Sequence, residues 1–224
     1  IMFDNEPALI SNKGKILITF NEFEIFKEKC KQFFNYIGLV DSFTSTRNFI
    51  DYLEDKNLEV CYTKFLKKDT PSIKFNKLWH PHLSKCKKDI VFNDINIGSE
   101  YQNNVLLTGP NAGGKSTFIK SLSISLLFSQ TLGISFSKSC HITPFHFINT
   151  YLNIPDIKGK ESLFEAEMHR CKDYLEKLET LDSNEFSFIV MDEIFSSTNP
   201  KEGIAGAYAI CDKISSYKNS ISVI

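Results

Sequence analysis

Eight consecutive residues, Gly109-Pro110-Asn111-Ala112-Gly113-Gly114-Lys115-Ser116, carry the strongest chemical signal in the chain. They spell G-x-x-x-x-G-K-S. A polyphosphate needs several backbone N–H groups aimed at one point, and a glycine-rich turn lets them converge without steric conflict. Lys115 then offers a positive charge to the β- and γ-phosphates, and the Ser116 hydroxyl offers an oxygen to Mg²⁺. An apolar run, Val105 to Thr108, leads into the turn, and a helical pattern from about Lys115 to Gln130 leads out of it. The positive dipole end and free amides of that helix would face the same phosphates. A nucleoside triphosphate is the expected ligand.

Two further groups fit that chemistry. The apolar run Phe186 to Met191 ends in Asp192-Glu193. A carboxylate at the carboxyl end of a buried strand lies on the ligand-binding edge of a parallel sheet. Asp192 is expected to hold Mg²⁺, in part through water, and Glu193 to orient and polarise an attacking water. Ser162, followed three residues later by Glu165, forms a capping box that should open a helix. The end of that helix would present its dipole and Ser162 to a phosphate, and a partner subunit's nucleotide is the better candidate, because the Lys115 loop saturates its own.

The elements that must position these residues fall into two parts. Phe23, Phe26, Cys30, Phe33, Phe34 and Ile37 recur at three- and four-residue steps, the stripe of an amphipathic helix, with Gly38 as its expected stop. A second helical pattern runs through Phe43, Phe49, Ile50 and Leu53. Residues 1–58 are therefore expected to form a helical segment. Residues 59–224 should form an α/β domain with a largely parallel sheet. Its strands are expected at Val60 to Leu66, Ile73 to Leu78, Val105 to Thr108, Cys140 to Thr150, Phe186 to Met191 and Ser220 to Ile224. Further helices are expected at Leu163 to Leu181 and Gly203 to Tyr217, with a loop over Tyr151 to Glu161.

Composition sets the outer bounds. Among 224 residues, 26 basic side chains balance 27 acidic ones for a net charge of -1, which excludes a chain-wide basic footprint for nucleic acid. If DNA is a partner, most phosphate contacts come from outside this sequence. Cys30, Cys61, Cys86, Cys140, Cys171 and Cys211 contain no C-x-x-C pair and read as reduced thiols of an intracellular protein. No apolar run approaches the ~18 residues of a membrane span, and the first ten residues lack the layout of a secretory signal. The sequence opens at isoleucine and stops inside a strand-like run, so a longer parent chain is expected.

Gly-Pro-Asn-x-Gly-Gly-Lys-Ser-Thr (109–117), Ser-x-Phe-x-x-Glu-Met (162–168) and Met-Asp-Glu-Ile (191–194), with Ser197-Thr198 and Glu202-Gly203, together resemble the ATPase domain of the MutS DNA mismatch-repair family. Trp79-His80-Pro81 is similar to that family's entry strand, and Val91-Phe92-Asn93 to its adenine-side loop. The resemblance implies a P-loop NTPase fold of ABC/MutS type, preceded by the end of a lever helix. It also implies ATP and Mg²⁺, with Gly109 to Ser116 and Thr117 on the phosphates, and Val91, Phe92 and Asn93 near the base. Ser116 and Asp192 would hold the metal, and Lys115, Asp192 and Glu193 would run hydrolysis. Ser162 and Glu167 belong to a signature helix that acts in trans. A homodimer that acts on double-stranded, mismatched DNA through regions outside this chain is implied. A paralogue in recombination or general DNA maintenance, or an ATP-switched binding module with little turnover, is the alternative. Phe195-Ser196-Ser197 departs from the basic or glycine residues usual after Asp-Glu, and the family's switch histidine is expected beyond Ile224.

Other patterns carry blander readings. Phe20-Asn21-Glu22 has the letters of a mismatch-reading triplet but lies among helical residues. His80 with His82, and His141 with His146, lack a third metal ligand at suitable spacing. Lys85, Lys87 and Lys88 read as a solvated face. The 20 phenylalanines are expected in core packing rather than base stacking.

Overall fold

The computed structural model describes residues 11–85, 90–152 and 163–224. The chain divides into two compact units between Asp51 and Tyr52.

The first described element is one helix, α1 (Asn12–Glu54), 43 residues long. Ser11 starts it, its Oγ accepting the Gly14 N–H at 3.0 Å. The stop expected at Gly38 does not occur. A mid-helix glycine costs only about 1 kcal/mol relative to alanine, and the helix runs through it. Ser42, Thr44 and Thr46 each donate a side-chain bond to the carbonyl four residues back, which satisfies hydroxyls that could otherwise compete with helical backbone. The expected phenylalanine core is also corrected here. Phe20, Phe23, Phe26, Phe33, Phe34 and Phe43 are exposed, because α1 is the only described element of its unit and no other described element there packs on it.

The second unit holds two sheets. β1 (Cys61–Phe65), β2 (Ser72–Leu78), β3 (Asn93–Gly98), β5 (Ile134–Ser135) and β6 (Ser139–Ile142) form a five-stranded sheet in the order β3-β2-β6-β1-β5. Only its β1–β6 pair is parallel. β4 (Asn104–Val105), β7 (Phe147–Tyr151), β8 (Ser187–Met191) and β9 (Ser220–Val223) form the second, wholly parallel, in the order β4-β9-β8-β7. The expectation of a largely parallel sheet thus holds for one sheet of two. The strand expected over Cys140 to Thr150 is two strands in different sheets, parted at Thr143-Pro144, where proline supplies no N–H for a ladder.

Three helices clothe the parallel sheet: α2 (Lys115–Leu132), α3 (Leu163–Glu179) and α4 (Pro200–Ser215). All five β8 side chains are buried, as a central parallel strand requires. Phe188 and Val190 pack with Ile119, Leu122 and Leu126 of α2 and with the apolar face of β2. Ile189 and Met191 pack on the opposite face with Cys171, Tyr174 and Leu178 of α3 and Ile210 and Ile214 of α4. Gly98 closes the β3 end at φ +78, where an added Cβ would lie 2.1 Å from the Pro71 carbonyl oxygen. Only glycine fits there.

Candidate functional site

The glycine-rich loop leaves the parallel sheet from β4. Asn104 pairs with Ser222 and Val105 with Val223, and the Leu107 N–H donates to the Ile224 carbonyl at 2.6 Å. Thr108 is thereby delivered to the carboxyl edge of the sheet. The turn then tightens on itself, with the Gly113 N–H donating to the Pro110 carbonyl at 3.1 Å. A Cβ on Gly113 would sit 2.9 Å from that same oxygen. Ala112 adopts φ 62, and Gly114, at φ 88 and ψ 6, precedes α2 as a cap with no side-chain hydrogen bond. The opening amides of α2 are left to whatever the loop encloses. Lys115 Nζ donates to the carbonyls of Gly109 at 2.7 Å and Pro110 at 3.0 Å, which holds the ammonium across the loop.

Two cavities flank Lys115. The smaller, of about 280 Å³, is lined by Asn111 to Thr117 and by Glu193. The larger, of about 640 Å³, runs along the other side of the loop and is lined by Gly109, Pro110, Val91, Asn93, His80 and Leu83 among others. Ala112, Gly113, Gly114, Lys115 and Thr117 border both. Phe92, expected beside Val91 and Asn93, does not line the larger cavity and is exposed. His80 and Leu83 were not expected there. They follow Trp79, which is fully buried one residue past the end of β2. Burial, then His82 and Lys120, hold the His80 imidazole below its ordinary pKa of 6.5. His80 Nδ1 accepts the His82 N–H at 3.2 Å.

Asp192 and Glu193 follow β8 at the same edge. The Asp192 N–H donates to the Tyr151 carbonyl at 3.0 Å, extending the β7–β8 ladder by one rung. Asp192 is half-buried and does not border the smaller cavity; Glu193 is exposed and does. Glu193 and Phe195 stand at φ 53 and 52, a left-handed backbone that disfavours side chains. Phe195 is held there by burial, with Gly203 and Gly206 of α4 on one side and Phe164, 5.6 Å away by ring centroid, on the other.

Only part of the third expected group falls among the described residues. Ser162 lies outside the described residues, as do most of the loop expected over Tyr151 to Glu161, Cys86, Lys87 and Lys88. Glu167 is placed on α3, buried in its own subunit, where it accepts a short hydrogen bond from Ser197 Oγ. Among the described residues no group of three or more His, Cys, Asp or Glu side chains could hold a metal. A site of one hydroxyl and one or two carboxylates suits Mg²⁺, which keeps several waters and completes its shell with phosphate oxygens.

Residues 105–224, more than half of the chain, match the family model for MutS domain V. The chain belongs to the MutS family. Its fold is that of a P-loop ATPase domain. It is 32% identical over 144 residues to the Endonuclease MutS2 of Leuconostoc mesenteroides, a match over 64% of this chain and 17% of the relative. It is 30% identical over 185 residues to the Endonuclease MutS2 of Pediococcus pentosaceus, over 79% of this chain and 22% of the relative. It is 34% identical over 143 residues to the DNA mismatch repair protein MSH3 of Candida albicans, over 58% of this chain and 12% of the relative. This MutS-family chain therefore spans less than a quarter of each of these relatives. No described helix is long and apolar enough to cross a membrane.

Proposed function

We propose that this chain is the ATP-binding and ATP-hydrolysing unit of a MutS-like DNA-maintenance protein. The observation that carries the reading is the convergence of the Asn111–Thr117 loop, with Lys115 across it, and Glu193 on one cavity. The loop amides and the start of α2 bind the polyphosphate. Lys115 exchanges its two carbonyl partners for phosphate oxygens and neutralises charge that grows on them. Val91 and Asn93 border the base, with His80 beside them. Ser116 and Asp192 hold Mg²⁺, whose chemistry is to withdraw charge from the phosphate oxygens. Glu193 orients the attacking water in line with the leaving group and draws on its proton.

The domain boundary near residue 58 and the role of α1 as the end of a lever helix belong to the same proposal. A homodimer places Ser162 of one subunit against the nucleotide of the other, with Glu167 supporting that helix end from inside. ATP state then sets the dimer contact and a DNA clamp outside this chain. Relatives that carry the name Endonuclease MutS2, which does not mention mismatch repair, support a second reading, in which the parent protein serves recombination or general DNA maintenance.

Steady-state ATP hydrolysis by the full-length protein, with paired and singly mismatched duplexes, tests both. Hydrolysis abolished by Lys115→Ala and stimulated more by mismatched DNA supports mismatch sensing. Equal stimulation supports the second reading. Unaltered ATP affinity in Lys115→Ala refutes the phosphate site itself.

A further inference from the structure

Glu167 is out of place on stability grounds. It is 4% exposed on α3, among Tyr151, Cys171 and the segment after β8. None of the ion pairs among the described residues includes it. Burial, and after it the Glu167 carboxyl, push the Tyr151 phenol above its usual range and the Cys171 thiol up to about 12. A carboxyl taken out of water is tolerated only where hydrogen bonds or a charge partner compensate. An apolar residue would serve the packing better.

A hydrogen bond to this carboxyl shows where it acts. Ser197 donates to Glu167 Oε2, and Ser197 lies in the same short segment as Glu193 and Phe195, both left-handed. That segment is tied down at three points. The Asp192 N–H is bonded to Tyr151, the Phe195 ring is wedged against Phe164, Gly203 and Gly206, and the Ser197 hydroxyl is bonded to Glu167. Two of the three anchors, Phe164 and Glu167, stand three residues apart on one face of α3.

We propose that Glu167 is a positioning residue for Glu193: by holding Ser197 it makes the Glu193–Ser197 segment move with α3, and so sets where the Glu193 carboxylate meets the phosphate cavity. The proposal rests on the reading of Glu193 as the group that activates water. Any displacement of the start of α3 is then felt at Glu193 without a contact between α3 and the nucleotide. A shift of about 1 Å at a reacting group lowers a rate by up to ~10²-fold.

The test is single-turnover hydrolysis at saturating ATP, alongside nucleotide affinity by titration, in full-length Ser197→Ala, Glu167→Ala, Glu167→Gln and the double alanine variant. Ser197→Ala should slow hydrolysis about tenfold with affinity within about twofold of wild type. Glu167→Gln keeps an acceptor for the Ser197 hydroxyl and should hydrolyse within about twofold of wild type. Glu167→Ala should match Ser197→Ala, and the double variant should be no slower than either, because one bond is removed once. Glu167→Ala opens a space in the core, so Ser197→Ala, at an exposed residue, decides the matter if that variant does not fold. Wild-type hydrolysis in Ser197→Ala, losses that multiply in the double variant, or a parallel loss of nucleotide affinity each overturn the proposal. Wild-type turnover in Glu193→Gln would instead remove the reading beneath it.

Discussion

Gly206 sits in mid-α4, where alanine would ordinarily be an improvement. Replacing glycine by alanine in a helix interior stabilises by about 1 kcal/mol. Here an added Cβ would lie 2.9 Å from both Cδ2 and Cε2 of Phe195, closer than carbon atoms approach. The ring has little room to retreat. It is 3% exposed, meets the Phe164 ring edge-on, and hangs from a backbone at φ 52 whose shift would drag Glu193 with it. Overpacking of this kind costs about 1–3 kcal/mol, so Gly206→Ala should destabilise by about 1 kcal/mol net. Trp79 is the only tryptophan in the chain and is fully buried, so its fluorescence reports unfolding of the second unit. With a urea dependence of about 2 kcal/mol per molar, the midpoint should fall by about 0.5 M. The decisive comparison is made in a Phe195→Ala background, where the obstacle is gone and the sign should reverse, with Gly206→Ala raising the midpoint. If Gly206→Ala raises the midpoint in both backgrounds, the Phe195 ring is not what requires the glycine.

Three other outcomes follow from the same geometry. Glu193→Gln should leave ATP affinity nearly unchanged and slow single-turnover hydrolysis by ~10²-fold or more, read by quenched-flow product formation. Because burial lowers the His80 pKa, the unfolded chain binds a proton that the folded chain resists; stability should fall as pH drops through 6.5 and level off below the folded value. His80→Gln should flatten that profile in urea titrations between about pH 5.5 and 7.5. Gly98→Ala, at φ +78 and against the Pro71 carbonyl, should destabilise by more than about 2 kcal/mol in the Trp79-monitored titration.

What could be read from the sequence was local. The phosphate loop was legible because its residues are contiguous and its context, strand before and helix after, lies within a dozen positions. The strand that ends at Met191 was legible as a short apolar run, and the two carboxylates after it took their meaning from the phosphate loop upstream. The five-stranded sheet was not legible as mostly antiparallel. Its order places β6 between β2 and β1, a pairing of distant segments that no short pattern encodes. Alternation in β2 does show, with Ile73, Phe75 and Leu78 inside, but the register slips between Phe75 and Leu78, where Lys77 stands at φ 51. Gly38 misled because glycine punctuates most chains, and only the surrounding helix-compatible residues decide whether it ends an element. In the site, His80 and Leu83 join the groove through tertiary placement alone. Glu167 stands in the signature pattern by its neighbours in sequence, and its burial follows from the face of α3 it occupies.

The register of β4 has a kinetic corollary. Among the described strands this two-residue one, from which the phosphate loop springs, pairs only with β9, and the Asn104 side chain accepts the Ser222 hydroxyl across 118 positions of chain. During synthesis, β7 and β8 can pair, and α2 can coil, while β9 is still inside the ribosome. The loop cannot. Its anchor arrives among the last contacts of the sheet, and loop closure over so long a span is slow compared with local helix formation. Nucleotide capture should therefore be a late event in the life of the nascent chain, so ATP acts as a ligand of the finished sheet and has little chance to template it.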